Sequence, residues 1–254
     1  MITKQPKSWK DLQDKVDFIF SCVGLISEKE KKLQTPRGTV EIDVFAVDPL
    51  SLDKIIYLVE CKNWCNRVPQ TVVHGFVTVM HETGSNIGYI ISKKGFQKGA
   101  TEYVNSTNIR LFTFEAFQNH YFDSWYKKYF AHEIFASSKN LIQFTEPINA
   151  RRFNFQKHLT KQRSLIFEKL FNKYSLFSNL VLILGSQSAK FINVFSIQKP
   201  GVLSLEEIEI ALFGCFQKKY SFESYMEALD TIKVLIENGV SDFVEVFGTN
   251  IFSD

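Results

Sequence analysis

Two apolar segments constrain this chain most: residues 40–47 carry Glu41 and Asp43, and residues 55–62 carry Glu60 and Lys62. Both are short and rich in β-branched residues, so they read as strands. Side chains along a strand alternate faces with a period of two. Glu41 and Asp43 therefore share one face of their strand, and Glu60 and Lys62 share one face of theirs. Paired as a hairpin, the two strands bring two or three carboxylates and one ammonium into a small volume. Carboxylates crowded together resist ionising unless a cation joins them. A hard divalent ion such as Mg2+ takes oxygen ligands, commonly one or two carboxylates plus a substrate phosphate. The pattern points to metal-dependent chemistry on a phosphate.

The rest of the composition narrows the setting. At 254 residues the chain is long enough for one large or two modest domains. A hydrophobic fraction of 45%, with 25 phenylalanines, supports a substantial core and argues against disorder. The net charge is only +3, so any basic surface that meets a nucleic acid is local. The four cysteines, Cys22, Cys61, Cys65 and Cys215, form no C-x-x-C pair and read as reduced thiols of a cytoplasmic protein. Cys61, Cys65, His74 and His81 do not have the spacing of a zinc site. The polar, basic first ten residues do not read as a signal peptide. The longest apolar run outside the strands, near residues 180–184, is far short of the roughly 20 needed to cross a bilayer, so no membrane association is expected.

Along the chain, Trp9, Leu12, Val16, Ile19, Phe20 and Val23 recur at three- and four-residue steps, which predicts a helix capped by Ser8 and closed at Gly24. The charged run 28–32 reads as an edge strand, and residues 35–38 as a turn. A helix follows at 69–82 with Gly84 beyond its end. Then come a strand at 87–92, a basic glycine-containing loop at 93–99, a short helix at about 100–105 and a strand at 109–114. The order is α-β-β-β-α-β-α-β, a mixed sheet covered on both faces. Residues 118–145 are aromatic and predicted helical. Beyond them, 167–177, 205–220 and 222–237 read as helices, and 180–185, 191–197 and 242–247 as strands, the last preceded by a turn at Asn238-Gly239.

The segments V-E-I-D-V-F-A and Y-L-V-E-C-K-N-W resemble the D…(D/E)-x-K core of the PD-(D/E)xK nuclease superfamily. The likeness extends to V-P-Q-T-V-V-H-G-F and G-Y-I-I-S-K-K-G-F-Q-K-G-A, which are similar to the Mrr-type restriction endonuclease family, and it covers roughly residues 8–117. It implies a restriction-endonuclease-like α/β fold, a mixed sheet flanked by helices, to which the chain adds a second, smaller α/β domain. The division expected is a nuclease domain at 1–117, a helical linker at 118–149 and an accessory α/β domain at 150–254 for regulation, target recognition or oligomerisation. The resemblance also implies roles. Asp43 and Glu60 bind Mg2+ (with Mn2+ able to substitute), the backbone carbonyl of Cys61 adds a ligand, and Lys62 orients the attacking water or stabilises developing charge. Glu41 is a second carboxylate on Asp43's face, more readily solvated or structural than a direct ligand.

There is one departure. Many relatives place a glutamate on the first helix, where this chain has Gln13, with Asp14 and Asp17 nearby. A glutamine brings an oxygen but no charge, which argues against a two-metal site. Lys93, Lys94 and Lys98, between a strand end and a helix start, suit contact with DNA phosphates through amides and ammonium groups, or are a solvated loop. His74 and His81 read as packing or surface residues, and Trp64 as core, with base stacking the less favoured alternative. Residues 205–238 carry Glu206, Glu207, Glu209, Glu223 and Glu227, a poor surface for a phosphate backbone. The expectation is a Mg2+-dependent DNA endonuclease that hydrolyses phosphodiester bonds in restriction or antiviral defence, with a homodimer or a defence-system protein as possible partner. The alternatives are a catalytically silent nuclease-fold DNA-binding module, or a sensor or interaction subunit of a defence complex.

Overall fold

The structure is a computed structural model that describes residues 1–186 and 201–253. It divides into two compact units, Thr3–Trp125 and Tyr126–Asp254, with Ile2 grouped with the second. In the first, the elements follow the expected order: α1 (Trp9–Cys22), β1 (Ile26–Thr35), β2 (Gly38–Val47), β3 (Ile56–Lys62), α2 (Gln70–Thr83), β4 (Ile87–Ser92), α3 (Lys98–Tyr103), β5 (Ile109–Thr113) and α4 (Phe114–Trp125). The sheet order is β1-β2-β3-β4-β5. β1, β2 and β3 are antiparallel neighbours, whereas β3, β4 and β5 run parallel. The charged run does form an edge strand, where lysines discourage pairing with another chain.

Alternation along the central strands builds a core on each face. Leu58 and Ile90 face α2 and α3, packing with Val73, Phe76, Met80 and Ala100. Their neighbours Tyr57 and Tyr89 point the other way and meet Phe20 of α1, with Phe117 and Tyr121 of α4 closing the cluster. Helix α1 starts where its sequence says it should, since Ser8 Oγ accepts the Asp11 N–H at 3.1 Å. Helix α2 ends at Gly84, which takes the left-handed conformation at φ 63°.

The described residues of the second unit form helices: α5 (Ala131–Thr145), α6 (Ala150–Gln156), α7 (Lys161–Gly185), α8 (Leu205–Phe216) and α9 (Tyr225–Phe247). A π-helical turn, Tyr126–Phe130, opens the unit. The expected α/β character is corrected here. Residues 180–185 are the last turns of α7, and 242–247 are the last turns of α9; the run 191–197 lies outside the described residues. A short apolar run does not by itself separate strand from helix. The wider spacing does: Phe177, Leu180, Val181 and Leu184 are buried on one helical stripe, as are Ile236, Gly239, Phe243 and Val246 on another. The helices α8 and α9 are set by Ser204, in a capping box with Glu207, and by Ser224. Among the described residues, no helix is long and apolar enough to cross a membrane.

Gly239, read above as a turn, lies within α9. A Cβ there would sit 2.8 Å from Leu141 Cδ1 and 3.0 Å from Tyr174 Cε1, both on buried side chains. The glycine lets α9 approach α5 and α7 closely. Alanine would gain about 1 kcal/mol of helix propensity, yet overpacking of a tight core costs about 1–3 kcal/mol. Gly239→Ala is therefore expected to lower the thermal midpoint of the whole chain; a raised midpoint would show that α9 has room to spare at this point.

Candidate active site

The site grows from a break in strand pairing. The β2–β3 ladder runs from Val47↔Ile56 to Val44↔Val59 and stops there. Farther out, Ile42 and Phe45, three residues apart, both pack on the α2-side core, so strict alternation slips between them. Asp43 lies at this slip. Its Oδ2 accepts the backbone N–H of Cys61 at 2.6 Å, and its Oδ1 accepts Gln13 Nε2 at 2.9 Å. A side-chain carboxylate thus takes the amide that a continued ladder would have used, and α1 holds it from behind. Gln13 is 1% exposed, a buried polar group on an otherwise apolar helix face, and Asp43 satisfies it.

Glu60 and Lys62 lie on one face of β3, two residues apart, and the Lys62 ammonium pairs with Glu60 Oε1. The three charged groups feel one another. Burial raises the Asp43 carboxyl above the ordinary aspartate range, against the Cys61 amide, Lys62 and hydrogen bonds from Gln13 and Trp9. Burial, then the Asp43 charge, raises Glu60 against the pull of Lys62. The Cys61 thiol is buried and pushed well up by desolvation, so it stays protonated and is no thiolate ligand.

The other candidates fall in distinct places. Glu41 is exposed, and with Glu60 it lines a cavity of about 310 Å³ walled by Val40, Ile42, Val72, Gly75, Phe76 and Val79. Asp14 is exposed and pairs with Lys29 at 2.5 Å. Lys93 and Lys94 are exposed on the β4–α3 loop, and Lys98 is exposed at the first position of α3. Two amides of that loop are already committed, Lys93 N–H to the Lys62 carbonyl at 3.1 Å and Lys94 N–H to Ser92 Oγ at 3.2 Å. Ammonium groups are therefore what Lys93 and Lys94 have to offer a phosphate. His74 is at the surface against Tyr103, with ring centroids 4.3 Å apart. Trp64, expected in the core, is 43% exposed, with Lys62 Nζ 5.2 Å from its ring centroid. Trp9 was read only as part of an apolar helix face. Its spacing of four from Gln13 was the available signal that it shares the face turned to Asp43.

Among the described residues, no group of three or more His, Cys, Asp and Glu is arranged to hold a metal ion. Asp43 and Glu60 are two hard oxygen donors; burial raises both carboxyls, and the Asp43 charge raises Glu60 further. That set fits Mg2+, which keeps most of its shell for water and phosphate.

Residues 8–121 match a family model, Mrr_cat, described as a restriction endonuclease. Within the first unit, residues 8–121 are thus similar to a nuclease domain. More particularly, they match a restriction-endonuclease domain of the Mrr type, and they lie on a five-stranded mixed sheet flanked by helices. Among solved structures, a protein of unknown function is 14% identical, with a TM-score of 0.39, over 73% of this chain and 98% of that one. A repair endonuclease from Pyrococcus abyssi is 18% identical, with a TM-score of 0.31, over 44% of this chain and 48% of that one. No curated protein matches the chain.

The Glu60 shift has a testable sign. A carboxyl whose folded-state pKa is raised destabilises the fold while it is ionised, and the penalty vanishes below the unfolded value, near 4.5 for glutamate. In EDTA, Glu60→Gln is expected to raise the thermal midpoint at neutral pH, with the gap closing as the pH falls below about 4.5. A destabilised variant at neutral pH would show that pairing with Lys62 outweighs burial.

Proposed function

We propose that the chain is a Mg2+-dependent DNA endonuclease whose catalytic centre is Asp43, Glu60 and Lys62. The observation that carries this reading is the grouping of two half-buried carboxylates and one ammonium, which feel one another's charge, at the end of the β2–β3 ladder. Asp43 and Glu60 hold the ion, and the Cys61 carbonyl offers a further oxygen. When bound, the ion polarises the phosphate and lowers the pKa of water. Asp43 is oriented before substrate arrives, by the Cys61 amide and by Gln13. Lys62, beside Glu60, orients the attacking water and places positive charge where negative charge develops on the phosphate. Glu41 opens on the same cavity as Glu60 and serves as an accessory carboxylate. The ammonium groups of Lys93, Lys94 and Lys98 grip the DNA backbone without reading its sequence.

The residues from about 150 onward then regulate the nuclease or bind a partner. Exposed Ile210 and Phe213 beside Glu206 and Glu209 suit a protein surface better than a phosphate backbone. The Mrr-type family match supports a place in restriction or defence against foreign DNA. A second reading, a module that binds DNA without cutting it, is favoured by the neutral Gln13 and because, among the described residues, no three acidic, His or Cys side chains are arranged to hold a metal ion.

Plasmid DNA incubated with the protein and Mg2+ separates the two. Cleavage is expected with Mg2+ or Mn2+ and not in EDTA. Asp43→Ala and Lys62→Ala should each slow it by about 100-fold or more, the scale of losing one preorganised charge-stabilising group. Retarded DNA that stays uncut in all cases would favour the binding module.

A further inference from the structure

The exposed indole of Trp64 is not used by the chemistry above. It follows Lys62 by two residues, at the C-terminal end of β3, in a stretch where Trp64, Cys65, Asn66 and Arg67 are all exposed. The end of this stretch is tied down at Val68. Val68 N–H donates to the Gly95 carbonyl and Gln97 N–H to the Val68 carbonyl, each at 3.0 Å, so the loop after β3 is tied to the loop after β4. The Trp64 ring is 43% exposed, and Lys62 Nζ stands 5.2 Å from its centroid while pairing with Glu60. A large aromatic face therefore lies beside the ammonium proposed to serve the reacting phosphate, with Arg67, Lys93 and Lys94 exposed on the two joined loops.

An exposed indole beside that ammonium offers a flat apolar face, and every nucleobase has a face to stack on it. Inside an intact duplex both faces of a base are covered by its neighbours. An indole reaches such a face only where a base is unpaired or turned out of the stack. We propose that Trp64 is a stacking platform for an unpaired base next to the cleaved phosphate, so that the site prefers single-stranded DNA, or duplex with an unpaired base, over continuous duplex. The proposal rests on the nuclease reading. It makes Trp64 a positioning residue: the stacked base sets the register of the backbone against Lys62, and the joined cationic loops hold the flanking phosphates.

The test uses the whole chain with Ca2+ in place of Mg2+, so that binding is read without cleavage. Dissociation constants are measured by anisotropy for one labelled oligonucleotide as single strand and as duplex, with the wild type, Trp64→Ala and Trp64→Phe. Trp64→Ala is expected to weaken single-strand binding by about 5- to 150-fold, the range for losing one base–aromatic stack, and duplex binding by less than about 2-fold. Trp64→Phe, which keeps an aromatic face, should recover most of the loss. Equal losses on both DNAs, no loss on either, or failure of Phe to rescue would overturn the proposal. A plasmid assay in Mg2+ keeps the two ideas apart. Cleavage that needs Asp43 alongside an indifferent Trp64 would leave the nuclease reading standing and the platform refuted. No binding of any DNA by the wild type would refute both.

Discussion

The first unit turns on one hydrogen bond, from the Cys61 amide to the Asp43 carboxylate. A strand pair that ends normally leaves its next amide to water or to a neighbouring strand. Here the amide is taken by an anion from the partner strand, which stops the ladder and fixes the anion in the same act. Gln13 fills the other oxygen from α1. Glu60 and Lys62, on either side of Cys61, then have no choice but to face the same small volume. The arrangement stores unfavourable electrostatics, since two carboxylates are raised above their ordinary range and one lysine only partly offsets them. A polar network of this kind is stable only within a rigid frame, and the sheet, with buried side chains packed on both faces, supplies one.

Much of this frame was legible in the sequence, because its signals are local. Alternation in 40–47 and 55–62 gave the strands, helical spacing in 8–23 and 69–82 gave the helices, and charge on 28–32 marked an edge. What alternation could not show is where it slips. The shift between Ile42 and Phe45 depends on packing against α2, which is not a property of the strand alone. Trp64 was misread for a related reason: an aromatic residue next to a strand is buried only if the chain turns back over it, and here it does not.

The second unit was legible in a different way. Helices were legible near 205 and 222, yet its long helices were cut short by runs that resemble strands and by a glycine that resembles a turn. An aromatic core explains both. Phe144, Phe167, Tyr174 and Phe243 pack ring against ring, with Phe144 and Phe243 stacked at 4.9 Å. Rings of that size fill the space between helices only if one helix gives way, and Gly239 is where α9 does so. A turn glycine and a packing glycine look the same in sequence, and only the neighbours distinguish them.

The bond from the Lys93 amide to the Lys62 carbonyl couples two stretches of backbone far apart along the chain. Because of it, the loop after β4 is not an interchangeable surface ornament. A residue added or removed there would tug on the main chain carrying the central lysine. Grafting this loop between related proteins, a common way of moving specificity, would succeed only when the graft preserves the length that lets this bond re-form.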